Sequence, residues 1–118
     1  MIYNTKIENN QLLIKIIDNN NAHSMNIKLV VNNDSINIFR EFYYNIQKNT
    51  NYINIIDTTI IEYRDNSIRF ESDTYQYKIN KSNEITELID KIITNLMIYQ
   101  LDMDSPRANI IGKNKGFI

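Results

Sequence analysis

Apolar and polar residues alternate from the start of the chain. Tyr3, Thr5 and Ile7 fall on one side of an extended segment, with Asn4 and Lys6 on the other. After Glu8-Asn9-Asn10-Gln11 the period resumes, with Leu12, Ile14 and Ile16 set against Leu13, Lys15 and Ile17. A period of two marks a strand with one buried face. Asn9-Asn10 suits a two-residue hairpin turn because asparagine tolerates positive φ. That turn pairs Ile7 with Leu12 and Thr5 with Ile14. The polar stretch Asp18 to Ser24 then leads to a third strand, where Ile27, Leu29 and Val31 alternate with Asn26, Lys28 and Val30.

The period then changes to that of a helix. Ile36, Phe39, Phe42, Tyr43 and Ile46 share one face, with Asn37, Glu41, Tyr44 and Lys48 opposite. Asp34 or Ser35 is placed to cap the start, and Asn49-Thr50-Asn51 ends the helix. Tyr52 to Ile56 reads as a short strand or an extended connector. A second meander follows, with turns expected at Asp65-Asn66 and Ser72-Asp73. These turns pair Tyr63 with Ile68, Ile61 with Phe70 and Phe70 with Tyr75 on one face, and Glu62 with Arg69 and Arg69 with Gln76 on the other. A second helix begins at Ser82 or Asn83, with Glu84 near its positive end. Its buried stripe is Ile85, Leu88, Ile89, Ile92, Leu96 and Tyr99, and Glu87 and Lys91 form an i,i+4 pair on the wet side. Pro106 stops any helix.

The predicted order is βββα-β-βββα. This is an α+β fold: an antiparallel sheet of about six to seven strands in two meanders, with two helices packed on one face. Residues 1–104 form one domain and 105–118 a C-terminal tail, either disordered or docked on the domain. Both halves run three strands and then a helix, without convincing residue-level identity between them.

Composition narrows the chemistry. In 118 residues there is no Cys, no Trp, one His, one Pro and two Gly. Phosphate-cradling loops need glycine, zinc sites need Cys or His, and charge-relay nucleophiles need His. No cofactor or metal is implied. Asp, Glu and Tyr alone can perform acid–base chemistry, but no motif assigns them to it, so a non-enzymatic protein is expected. A net charge of −1 gives no long-range pull on nucleic acid or anionic membrane. No apolar run approaches a membrane span, and Asn4, Lys6 and Glu8 interrupt any signal-peptide core. The lack of cysteine fits a reducing compartment, hence a cytoplasmic location, or the host cytoplasm for a viral protein. Abundant Ile and Asn are also what AT-rich codons supply, which points to the genome and not to function.

The remaining clusters read as structural. His23 stands alone in a polar loop. Glu62, Asp65, Glu71 and Asp73 alternate with Arg64, Arg69 and Lys78, which describes a surface charge lattice. Asp102-Met103-Asp104-Ser105 lacks the glycine and distal glutamate of a calcium loop. The sequons at Asn33 and Asn80 are expected by chance in so asparagine-rich a chain. Tyr63, Phe70, Tyr75 and Tyr77 lie on the apolar face, so they belong to the core and not to a base-stacking platform.

Two surfaces exceed what a monomer needs. The outward set of the first meander includes Ile2, Leu13, Ile17 and Val30, and the second helix turns apolar almost all round at Leu96, Met97, Ile98, Tyr99, Leu101 and Met103. Two covers fit the helix: the tail, through Ile110, Ile111, Phe117 and Ile118, or a partner chain. The expected function is therefore protein binding, with self-association as a homodimer or larger assembly, in a structural, antitoxin-like or host-antagonist role. The alternative is a nucleic-acid accessory protein that uses the aromatic sheet and a basic tail bearing Arg107, Lys113 and Lys115.

Overall fold

The computed structural model describes residues 2–18 and 23–104. Three strands, β1 (Ile2–Glu8), β2 (Gln11–Asp18) and β3 (His23–Val30), lead to helix α1 (Ser35–Lys48). Four more, β4 (Tyr52–Ile56), β5 (Thr59–Arg64), β6 (Ser67–Glu71) and β7 (Gln76–Asn80), lead to helix α2 (Asn83–Asp104). The fold is α+β and antiparallel throughout, with sheet A ordered β1-β2-β3 and sheet B ordered β4-β5-β6-β7.

Asparagine and aspartate supply the left-handed backbone that glycine usually supplies. Asn9 and Asn10 have φ of 54° and 61°, and Asp65 and Asn66 have 52° and 61°. Two successive positive φ values match the right-handed twist of a hairpin. They set Ile7 opposite Leu12, Thr5 opposite Ile14, Tyr63 opposite Ile68 and Glu62 opposite Arg69, as the alternation requires. The β6–β7 register differs from expectation. Phe70 faces Tyr77 and Arg69 faces Lys78, because the turn is centred on Asp73-Thr74, where Ser72 N–H donates to Tyr75 O at 2.9 Å. Moving a turn by one residue moves the pairing by two, so every side chain keeps its face.

The seven strands form two sheets and not one continuous sheet. At the free edge of β3, Asn26 N–H donates to the Tyr77 hydroxyl of β7 at 3.4 Å. A side chain a full ring long thus stands between the two backbones, where direct pairing would need them about 4.8 Å apart.

The helix ends are closed by local polar groups. At α1 neither Asp34 nor Ser35 accepts a first-turn amide; instead Asn32 Oδ1 accepts from Asp34 N–H and Ser35 Oγ accepts from Asn32 N–H. At its other end Asn49 adopts φ 58° and its N–H closes on the carbonyls of Asn45 and Ile46. At α2, Ser82 Oγ accepts from Ile85 N–H at 3.2 Å.

One apolar cluster joins the inner faces of both sheets to both helices, from Leu12, Ile14 and Ile27 through Phe39 and Phe42 to Ile61, Phe70, Leu88 and Ile92. Phe42 lies edge-on to Phe70 at 6.3 Å, so α1 seals sheet B. Helix α2 packs beside α1 and on the inner side of β1. There Lys91 Nζ sits 5.9 Å above the Tyr3 ring, and no Glu87–Lys91 ion pair forms. Leu96, expected at an interface, is 2% exposed and belongs to this core. Its position continues the i,i+3/i+4 stripe of Leu88, Ile89 and Ile92 against the sheet.

Candidate protein-interaction surface

The outer face of sheet A is built by parity. Even positions of β1 and β3 and odd positions of β2 point away from the core, so the register collects Ile2, Leu13, Ile17 and Val30 there. Ile2 and Val30 are exposed, and Leu13 and Ile17 are half-buried. Ile2 lies directly across from Ile17, an aliphatic pair at one end of the face. Between the aliphatics stand cations that alternation alone does not single out. Lys6 and Lys28 flank Leu13 in one cross-strand row, and Asn4 and Asn26 flank Lys15 in the next. These six residues line a hollow of about 390 Å³, and among the described residues no acidic side chain lines it. Lys6 pairs with Glu8 at 3.3 Å; Lys15 and Lys28 have no ion-pair partner among the described residues. The signal lies in the chain nonetheless: lysines on the polar side of three neighbouring strands become a patch once the register is known.

The second surface is the exposed flank of α2. Met97, Ile98 and Leu101 are exposed, Leu101 by 68% of its surface. The side chain of Met103 lies outside the described residues, as do Arg107, Lys113, Lys115 and the rest of 105–118. A hollow of about 340 Å³ runs between β1 and this end of the helix, lined by Thr5, Ile98, Tyr99 and Asp102. Lys6 borders it too, so one residue lies on the rim of both surfaces.

A third surface was not anticipated. Strand β4 is an edge of sheet B, and its Ile53 and Ile55 are 58% and 56% exposed. Ile55 N–H donates to Asn54 Oδ1 at 2.7 Å, which occupies one edge donor that another strand would need.

Tyr52, Glu62, Glu71 and Asp65 are engaged elsewhere in the fold. The Tyr52 hydroxyl donates to Glu41 at 2.8 Å and accepts from Asn54 at 3.0 Å, and burial pushes its pKa up to about 12. The Glu62 carboxylate, hydrogen-bonded to Arg69 at 2.8 Å, raises that guanidinium above its ordinary value, with Glu71 adding on the same side. Asp65 meets Arg64 at 3.7 Å. Among the described residues no cluster of His, Asp or Glu could hold a metal ion, and the side chain of His23 lies outside them. Tyr63 and Phe70 are buried, while Tyr75 and Tyr77 are half-buried and stacked on each other at 5.0 Å. No helix among the described residues is long and apolar enough to cross a membrane. No protein-family model, curated protein or solved structure matches this chain.

Proposed function

We propose that the chain is a protein-interaction module that works by contact and associates with copies of itself. The observation that carries this reading is the exposure of aliphatic side chains on regular elements, with Met97, Ile98 and Leu101 grouped on α2 and Ile2 and Val30 at opposite corners of the outer face of sheet A. Scattered apolar exposure is ordinary; grouped exposure on regular elements, beside uncompensated charge, is the composition of a contact surface. The engagement of Tyr52, Glu62 and Glu71 in structural hydrogen bonds supports a role without catalysis.

The test is molar mass by light scattering across a concentration series. The mass rises with concentration in the wild type and falls back toward one chain in Leu101→Glu and Ile2→Glu. A wild-type mass of one chain at every concentration refutes self-association.

A further inference from the structure

We infer that the outer face of sheet A receives helix α2 of a second copy, so that the sheet A face and the exposed flank of α2 are halves of one head-to-tail contact. This rests on the self-association reading and names its geometry. The first argument is charge. Lys6, Lys15 and Lys28 stand on the sheet face against one glutamate, Glu8. The exposed flank of α2 carries Glu87 and Asp90, which have no ion pair among the described residues. Lys91, the next cation along the helix, lies over Tyr3 of its own chain. With a net charge of −1, copies do not repel at long range, and opposite patches choose the docked orientation.

The second argument is spacing. At 1.5 Å per residue, Asp90 and Met97 are about 10 Å apart along α2, and Glu87 and Met97 about 15 Å. Along β1, at about 3.3 Å per residue, Ile2 lies about 13 Å from Lys6. Acid-to-aliphatic spacing on the helix therefore matches cation-to-aliphatic spacing on the sheet within one helical turn. With Asp90 over the Lys6–Lys28 row, Met97 and Leu101, about 10 and about 16 Å further along the helix, fall on either side of the Ile2–Ile17 pair. Among the described residues the face carries no aromatic ring on which a nucleic-acid base could stack.

The topology sets the symmetry. In its own chain α2 packs on the inner side of β1, whereas the lysines point outward. The donor and acceptor surfaces thus lie on opposite sides of sheet A, and the contact closes a ring or propagates; it does not make an isologous dimer.

Four samples test this by light scattering: wild type, Lys15→Glu with Lys28→Glu, Glu87→Lys with Asp90→Lys, and an equimolar mixture of the two variants. Circular dichroism confirms that each is folded. The wild-type mass rises with concentration, each variant associates at least about ten-fold more weakly, and the mixture regains association because a basic helix then meets an acidic face. Variants that associate like wild type overturn this contact but leave self-association standing. A wild type that stays at one chain overturns both. Retention of an oligothymidylate by the wild type and not by the lysine variant, with no change in mass, assigns the face to nucleic acid and overturns the proposal. If a variant does not fold, carbodiimide cross-linking of mixed isotope-labelled and unlabelled wild type decides. Interchain links from Lys15 or Lys28 to Glu87 or Asp90 support the contact, and linked chains without them refute it.

Discussion

Asn49 joins three structural jobs in one residue, and side-chain substitutions separate two of them. It holds φ at 58° after α1, its N–H closes the last turn, and its Oδ1 accepts from the Tyr63 hydroxyl at 2.6 Å, with Asn66 Oδ1 a second neighbour at 3.2 Å. The ring of Tyr63 is buried at 1% exposure, so its hydroxyl depends on these two carboxamides at the rim. Asn49→Ala loses both the hydrogen bond, about 1 kcal/mol, and the tolerance for left-handed backbone, about 1 kcal/mol more. The expected cost is about 2 kcal/mol, or roughly 8 °C in Tm for a chain of this size. Asn49→Gly keeps the backbone freedom and costs about 1 kcal/mol. Tyr63→Phe also costs about 1 kcal/mol, and in that background Asn49→Gly becomes nearly neutral while Asn49→Ala still costs about 1 kcal/mol. Urea unfolding of the five variants gives each difference directly. Equal costs for Ala and Gly would refute the backbone argument. An unchanged cost of Asn49→Gly in the Tyr63→Phe background would refute the hydrogen-bond argument.

Phe42→Ala removes the ring that meets Phe39, Tyr52 and Phe70, and calorimetry is expected to show a loss of about 3–5 kcal/mol. Tyr52 has a folded pKa raised from 10.0 to about 12, so its contribution is complete below pH 10 and is lost as pH rises toward 12. Stability measured across that window declines in the wild type and declines less in Tyr52→Phe; identical declines would exclude Tyr52 as the source. Ile53→Lys places a charge on the exposed β4 edge, so turbidity on heating should fall while stability changes by less than about 0.5 kcal/mol. Asn54→Ala frees the Ile55 N–H, and the same turbidity should rise.

Much of the fold was legible because periodicity is a local property. Alternation in 3–7, 12–17 and 59–70, with Asn9-Asn10 and Asp65-Asn66 able to take positive φ, specifies the buried face and the register of two hairpins without reference to any tertiary contact. The helical stripes at Ile36–Ile46 and Ile85–Leu96 named the core in the same way. Parity, however, says which face a side chain takes and not which neighbour it meets. The β6–β7 turn could slide by one residue without moving Phe70 or Tyr77 off the core face, and only the assembled sheet decided between the two. Tertiary packing also decided that Tyr77 would separate β3 from β7, that β4 would be an edge carrying exposed Ile53 and Ile55, and that Leu96 would be covered while Leu101 was not. Lys6, Lys15 and Lys28 are scattered through the sequence and become one cationic face because three strands place them in adjoining rows. Periodicity along a chain encodes burial; the identity of neighbours across strands and layers arises only when the pieces compete for the same core.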